Sequence, residues 1–300
     1  MPQPGPAGNA PRRRLLVVHN PTAGRRRRRF LRRVLDRLGA RGATAATIET
    51  RAAGHAETIA RDMRAADYDA IVAAGGDGTI NEIVNGLAGR DIALGIVPVG
   101  TGNVLAAELA LPADEDAVAG LLAQDGTRRI HLGEVGGRLF TMMAGLGFDA
   151  HVVDSVHLGL KRRVGKLAYV ATTLSQMARW DSQSYRVVID GIAFDCASAI
   201  AANGHYYGGR FVAAPAARLD APSLDVVLFE RPGPRAALRY AVALACGQLN
   251  RLGDVRVVRG REISVTAAGS DEPVQADGDI VARLPVTIRV AEATQRVIAP

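Results

Sequence analysis

Apolar residues along the chain recur with two different textures, and the change falls near residue 130. Before it, short apolar runs alternate with stretches in which apolar residues return every three or four positions. Leu15 to Val18 predicts a short buried strand ending at His19-Asn20-Pro21, and Leu31, Val34, Leu35 and Leu38 then mark a helix. Ala43 to Glu49 predicts a second strand, His55 to Ala65 a helix, Ala70 to Ala74 a strand, Thr79 to Leu87 a helix and Ile92 to Val97 a strand. Helices at Val104 to Leu109 and Glu115 to Gln124 follow. Alternation at this pitch implies a doubly wound α/β domain, a parallel sheet with helices on both faces whose ligands bind beyond the carboxyl ends of the strands.

Past residue 130 strand-like runs dominate: Leu139 to Ala144, Tyr185 to Ile189, Phe194 to Ala202, Leu224 to Phe229, Val255 to Val258, Ile263 to Thr266 and Val286 to Val290. Helical patterns interrupt them at Gly165 to Arg179 and Arg235 to Leu249. This predicts a largely antiparallel β-sandwich as a second domain, with the active site in the cleft between the two. The expected organisation is a disordered N-terminus over residues 1–11, an α/β domain over 12–133 and a β-rich domain over 134–284. A C-terminal segment of about 285–300 is expected to return to the first domain.

Charge changes the picture. The 300 residues carry 37 Lys plus Arg against 30 Asp plus Glu, a formal net charge of +7. Ten arginines (Arg12, Arg13, Arg14, Arg25 to Arg29, Arg32 and Arg33) precede the first acid, Asp36, and without them 27 basic residues face 30 acidic ones. A slightly acidic body with 4% aromatic residues argues against a nucleic-acid-binding surface. Cys196 and Cys246 stand 50 positions apart, which supports neither a disulfide framework nor a cysteine metal site and fits a reducing cytosol. No apolar run approaches the roughly 18 residues that span a bilayer, so the expectation is a cytoplasmic protein that is soluble or rests on a membrane surface. The six histidines show no paired metal spacing.

The most informative segment is Ala73-Ala74-Gly75-Gly76-Asp77-Gly78-Thr79, which follows an apolar strand and opens a helix. Its glycines let the backbone approach a bulky anion, and N–H groups at the helix start point toward that anion. A carboxylate beside a polyphosphate is repelled unless a divalent cation stands between them, so Asp77 suggests Mg²⁺ chemistry or proton handling. A tight turn with Asp77 capping the helix is the alternative for this motif alone. Pro98-Val99-Gly100-Thr101-Gly102-Asn103 follows the next strand and would lie at the same sheet edge; Asn20-Pro21-Thr22-Ala23-Gly24 is a third such turn. None is a G-x-x-x-x-G-K-[ST] loop, since no lysine precedes Lys161.

These three turns, with Asn85-Gly86 extending G-G-D-G-T-I-N-E, resemble the nucleotide-binding domain of the lipid kinases that include bacterial diacylglycerol kinase and sphingosine kinase. The resemblance continues through Gly145-Leu146-Gly147-Phe148-Asp149-Ala150, Asn203-Gly204, Tyr207-Gly208-Gly209, Ala214-Pro215, Leu224-Asp225-Val226 and Asp277-Gly278-Asp279, in order. It spans residues 15 to 290, whereas G-G-D-G-T alone also occurs in NAD kinases and, loosely, in phosphofructokinases. It implies ATP- and Mg²⁺-dependent phosphorylation of a lipid hydroxyl, with ATP in the first domain and the lipid entering the interdomain cleft from a membrane surface. By position, ATP contacts fall on Asn20, Thr50, Gly75, Gly76, Asp77, Gly78, Thr79, Ile80, Asn81 and Thr101, with Glu82 supporting the loop. Asp279 occupies the place of the acidic residue, often Glu, that acts as proton acceptor. Read alone, Asp277-Gly278 is also an Asp-Gly hairpin turn.

Two positions depart from the family pattern. Many members carry Asp after the Asn of the second glycine turn, where it helps organise magnesium; Val104 stands here, so Asp77 would supply more of that charge. Many also hold a structural Mg²⁺ with an Asp after the Ala-Pro motif. This chain reads Leu219-Asp220-Ala221-Pro222-Ser223, and Asp220 would substitute only with a local shift.

On a helical wheel whose buried stripe is Leu31, Val34, Leu35 and Leu38, Arg25, Arg26, Arg29, Arg32 and Arg33 fall on the opposite side. That solvated face suits anionic lipid headgroups, while Arg27 and Arg28 lie at the helix start, within reach of phosphates. Leu158 to Lys166 (LGLKRRVGK) reads as an interfacial patch or a solvated loop. Two competing readings are a kinase for a soluble nucleotide such as NAD and a catalytically silent ATP- or membrane-binding regulator, which Val104 and Ala221 would permit.

Overall fold

A computed structural model describes residues 12–21, 25–124, 126–156, 184–267 and 271–300. The expected disordered N-terminus, Thr22 to Gly24 of the first turn, the patch at Leu158 to Lys166 and the helix at Gly165 to Arg179 lie outside the described residues, as do the side chains of Arg25 and Arg26. The chain divides into two compact units. The first runs to Ile130 and takes in Thr294–Pro300, and the second is His131–Ala293.

The first unit is built in the order β1 (Arg14–His19), α1 (Arg25–Ala40), β2 (Thr44–Glu49), α2 (His55–Asp62), β3 (Ala70–Gly75), α3 (Asp77–Leu87), β4 (Ala93–Pro98), α4 (Val104–Glu108) and α5 (Glu115–Ala123). Its strands lie in the order β2-β1-β3-β4, all parallel. Leu15, Val17, Val72 and Ala74 pack against Leu31, Val34 and Leu38 of α1 and Val118 and Leu122 of α5. Their neighbours Leu16, Val18, Ile71 and Ala73 are equally buried. Successive strand side chains point to opposite faces, so the other face is covered too, where α2 and α3 pack together and α3 lies on β3. Burial on both faces is why these strands read as unbroken apolar runs. Only β2, at the edge, is mostly exposed. The α2–α3 crossing is close because residue 86 is glycine: a Cβ there would lie 2.3 Å from the Glu57 carbonyl oxygen.

The second unit is antiparallel. After β5 (Arg128–Val135), which enters from the first unit, come β6 (Arg138–Phe140), β7 (Met143–Leu146), α6 (Phe148–Val156), β8 (Tyr185–Ile189), β9 (Ile192–Cys196), β10 (Ser198–Ala202), β11 (Tyr206–Tyr207), β12 (Phe211–Val212) and β13 (Leu224–Phe229). Then follow α7 (Pro234–Ala245), a 3₁₀ turn at Leu249–Arg251, β14 (Val255–Gly260), β15 (Glu262–Ala267), β16 (Pro273–Ala276), β17 (Asp279–Arg283) and β18 (Val286–Val297). One sheet runs β14-β13-β10-β7-β16-β17; the other contains β18-β15-β8-β9, with β5 also pairing β18. Val187, Ile189, Ile263, Val265 and Ile288 from one sheet meet Ala199, Ala201, Leu224, Val226, Leu228 and Val274 from the other in a single apolar core. The β-sandwich expected from the sequence is therefore present, beside the parallel α/β unit.

Two expected strands are each broken. Phe194 to Ala202 is two strands split at Ala197, because β9 forms a hairpin with β8 whereas β10 pairs with β13 and β7 of the other sheet. Leu139 to Ala144 breaks at Thr141-Met142, where the amides of Thr141, Met142 and Met143 turn to the Asp277 carboxylate. Strands β16 and β17 and helix α6 were hidden in turn-like sequence, and β18 continues seven residues beyond the expected Val290 to Val297.

Candidate functional site

In the order β2-β1-β3-β4 the winding direction reverses between β1 and β3, and an open sheet leaves a crevice at the carboxyl ends of such a pair. Register places His19 beside Ala74 and Gly75 beside Pro98, so all three glycine-rich turns leave this edge together. Backbone ties hold them: Asn20 N–H donates to the Ala74 carbonyl at 3.0 Å, and Thr50 N–H to that of His19 at 2.8 Å. Asn20 Nδ2 reaches Thr79 Oγ1 at 3.4 Å, linking the first turn to the second.

The second and third strand ends cross backbone on backbone. A Cβ on Gly100 would sit 2.1 Å from Gly76 Cα, closer than any side chain can pack. Beyond this crossing the first helical bond of α3 runs from Ile80 N–H to the Gly76 carbonyl at 3.1 Å, so the N–H groups of residues 77–79 lie ahead of the helical ladder. Gly78 has open space around its Cβ position. Ile80 is fully buried and its N–H is already bonded to the Gly76 carbonyl, so the backbone groups available to a ligand are those of residues 77–79. Two buried polar atoms at these strand ends, His19 Nε2 and Asn103 Oδ1, have no hydrogen-bond partner among the described residues. Such atoms are rare in folded proteins and commonly mark a ligand or an ordered water.

The acidic residues of α3 carry a structural load that the sequence did not reveal. Asp77 Oδ1 accepts from Val104 N–H at 2.7 Å and from Leu105 N–H at 3.4 Å, capping α4, whose own Asn103 makes no side-chain cap bond. Glu82 Oε2 accepts from Ala56 N–H at 3.0 Å and caps α2 in the same way, where the N-cap is Gly54. Capping does occur at Asp77, then, but of the neighbouring helix. Asn81 receives Asn85 Nδ2 on its side-chain oxygen at 3.0 Å. Arg27, expected near phosphates, donates to Thr101 Oγ1 at 3.2 Å, and Arg28 donates to the Pro21 carbonyl at 2.8 Å. Farther along α1, Arg33 pairs with Glu115 and Arg37 with Asp116, both at the start of α5, while Arg29 and Arg32 are exposed.

In the second unit the sequence motifs converge on the β6–β7 break. Asp277 accepts from Thr141 N–H at 2.7 Å, Thr141 Oγ1 at 2.8 Å, Met142 N–H at 2.9 Å and Met143 N–H at 3.1 Å. Asn203 Nδ2 donates to the carbonyls of His131 and Thr141, both at 2.8 Å. Asp277 and Gly278 both have positive φ, the conformation of a tight two-residue hairpin turn, and β17 begins at the exposed Asp279. Gln275 joins this turn to α6: its Oε1 accepts from Gly278 N–H at 2.8 Å and its Nε2 donates to Asp149 Oδ2 at 2.6 Å. Tyr207 hydroxyl donates to the other Asp149 oxygen. Burial raises the Asp149 pKa, opposed by these two hydrogen bonds. Nearby, Glu272 accepts from the Tyr185 hydroxyl at 2.9 Å, and His151 Nε2 lies 2.7 Å from the same Glu272 oxygen.

Family models match both units: the diacylglycerol kinase catalytic domain over residues 14–135, and the YegS C-terminal NAD kinase beta sandwich-like domain over residues 142–299. The chain belongs to the diacylglycerol kinase-like lipid kinase family. It is 31% identical to a diacylglycerol kinase of Mycobacterium tuberculosis, covering 77% of each chain. With a Bacillus subtilis diacylglycerol kinase it shares 29% over 91% of this chain and 92% of that one. With a Pseudomonas aeruginosa protein described as a probable lipid kinase YegS-like it shares 35% over 73% and 72%. A crystal structure of a diacylglycerol kinase from Bacillus anthracis str. Sterne shares the fold, with a TM-score of 0.76 at 23% identity over 96% of this chain and 98% of that one.

Among the described residues no group of three or more His, Cys, Asp and Glu is arranged to hold a metal ion. Asp220 lies in a two-pronged bond with Arg218, Nε to Oδ1 at 2.9 Å and Nη2 to Oδ2 at 2.8 Å. No helix among the described residues is long and apolar enough to cross a membrane.

Proposed function

We propose that this kinase transfers the γ-phosphoryl group of ATP to the hydroxyl of a diacylglycerol-like lipid at a membrane surface in the cytoplasm. The observation that carries the reading is the Gly76–Gly100 crossing at the reversal of the sheet, with the leading N–H groups of α3 beyond it and two orphaned buried polar atoms at the same strand ends. Helix-start N–H groups presented beyond a close glycine crossing form a cradle suited to an anion.

In this reading Gly75, Gly76, Gly78 and Thr79 hold the phosphates by backbone, Asn20 and Thr101 line the cradle, and Arg27 adds positive charge through Thr101. Mg²⁺ would neutralise phosphate charge, and Asp77 is the carboxylate that would face it. A nucleotide-borne Mg²⁺ keeps most of its waters and needs one or two carboxylates rather than a protein cage, so the donor set present fits. Asp279 takes the proton of the lipid hydroxyl as its oxygen forms the new bond to the γ-phosphorus, and the bond from that phosphorus to the bridging oxygen of ADP breaks.

The NAD kinase-like description of the second family model makes a soluble dinucleotide the competing acceptor. Incubation with labelled ATP, Mg²⁺ and mixed lipid vesicles, with and without NAD, separates the two. Label in a lipid product that both Asp77→Ala and Asp279→Ala abolish is expected; label in NAD alone, or ATP binding without turnover, overturns the proposal.

A further inference from the structure

Helix α7 (Pro234–Ala245) buries Ala237, Tyr240 and Ala243 and turns Leu238, Ala241, Val242 and Ala245 outward. At 100° per residue these four fall within an arc of about 100°. Leu238 and Val242, one turn apart, are 48% and 54% exposed. An ordinary surface helix shows the reverse arrangement, polar side out. Phe211 of β12, the strand packed against this helix, is also exposed.

The surrounding charge has one sign. From Arg231 to Gly253 the chain has no acidic residue and four arginines, Arg231, Arg235, Arg239 and Arg251. Arg231 and Arg239 are drawn to the buried Asp254, whereas Arg235 and Arg251, near opposite ends of the segment, form no ion pair among the described residues. An apolar stripe flanked by unneutralised arginines complements the layered chemistry of an anionic bilayer, acyl chains beneath phosphate headgroups. A protein partner or a second copy of the chain would need acidic groups to meet those arginines, which an apolar stripe matching its own image does not supply. The arginines of α1, by contrast, are partly engaged by Glu115 and Asp116.

We propose that α7 is the membrane-docking element, lying in the headgroup layer with Leu238, Ala241, Val242 and Ala245 toward the acyl chains and Arg235 and Arg251 on lipid phosphates. This deepens the lipid-kinase reading by assigning the surface that reaches the bilayer, and it rests on that reading only for the choice of a lipid partner.

The chain carries its own reporter. Cys246 is exposed at the end of α7, whereas Cys196 is buried with its thiol pushed up to about 12 by that burial, so a polarity-sensitive maleimide dye labels Cys246 selectively. Adding phosphatidylglycerol vesicles is expected to shift the dye's emission to the blue, and phosphatidylcholine vesicles to do so far less. In vesicle co-sedimentation with unlabelled protein, Leu238→Gln with Val242→Gln should lower partitioning at least tenfold at every salt concentration. Arg235→Gln with Arg251→Gln should lower it strongly at low salt only, and Arg29→Gln with Arg32→Gln less than twofold. Unchanged partitioning in the Leu238/Val242 variant, or loss confined to the α1 variant, overturns the proposal. So does a parent dimer that the Leu238/Val242 variant converts to monomer in analytical ultracentrifugation, which makes the face a self-interface. Phosphorylation of a short-chain diacylglycerol in detergent micelles should be the same in parent and α7 variants; if the parent phosphorylates no lipid yet binds vesicles through α7, the activity reading fails and the docking assignment stands.

Discussion

Substitution of two glycines separates crowding within the protein from crowding against a ligand. In Gly100→Ala the new methyl would stand 2.1 Å from Gly76 Cα and 2.8 Å from Gly76 N. Ordinary contact begins at 3.4 Å, so the two turns must part by about 1.3 Å, and the obstacle is backbone that cannot swing aside. Overpacking of this kind costs about 1–3 kcal/mol, and a displacement of about 1 Å in a positioning element lowers turnover about 10²-fold. Gly78→Ala is the counterpart. Apart from its chain neighbours and its own helix backbone, no atom lies within 4 Å of its Cβ position, and its φ is not in the left-handed region, so alanine in the first turn of α3 should leave stability unchanged or raise it by about 0.5–1 kcal/mol. If phosphates occupy the space in front of that turn, the same methyl must raise the Kd for the ATP analogue at least tenfold. Thermal denaturation and calorimetric titration with a non-hydrolysable ATP analogue measure both quantities. Parent-like binding of the analogue by Gly78→Ala would refute the phosphate cradle.

Asp77→Asn keeps an oxygen for Val104 N–H and should melt near the parent, whereas Asp77→Ala should lose about 1 kcal/mol of cap energy; phosphoryl transfer should fall in both, and an active Asn variant would exclude a charge role. At the β16–β17 turn the neighbouring acids should behave oppositely in denaturation and rate assays. Asp277→Ala strips the acceptor from three backbone amides and should cost about 2–4 kcal/mol, while Asp279→Asn should melt like the parent and slow transfer about 10²- to 10⁴-fold. Because burial raises the Asp149 pKa, the folded state holds a proton that the unfolded chain releases near the usual carboxylate range, so Asp149 makes stability fall as pH rises from about 4 toward the raised folded value. Denaturant titrations across that window should show a smaller loss for Asp149→Asn; identical slopes would mean that Asp149 is charged in the folded protein.

What the sequence disclosed and what it hid follow from the range of the interactions. The α/β unit was legible because its strands are buried on both faces and its helices carry one apolar stripe; Leu31, Val34 and Leu38 are buried where their spacing put them. The glycine turns were legible as anion-compatible backbone, but their crossing was not, since Gly76 and Gly100 meet only through strand register. The roles of Asp77 and Glu82 as caps of other helices were likewise out of reach, because each acts on a residue more than twenty positions away. In the sandwich, the breaks at Thr141 and Ala197 depend on a distant carboxylate and on a change of sheet, neither of which alters local hydrophobicity. The outward apolar face of α7 was invisible for the opposite reason: an amphipathic pattern does not say which side is covered.

The last strand leaves the second unit at Ala293 and ends in the first, where Val297 pairs with Leu94, Ile298 N–H donates to the Leu94 carbonyl at 2.8 Å, and Gln295 Nε2 holds the Ile92 carbonyl at 2.8 Å. Ile298 is also part of the core beside Leu122. During synthesis the nucleotide-type unit must therefore wait, with one flank of its sheet unpaired, while some 160 residues of sandwich are translated. Folding of the first unit on the ribosome should be gated by the emergence of Thr294 to Ile298 rather than by completion of its first 130 residues, and an expression fragment stopping at Ile130 would carry an open sheet edge and a missing core residue.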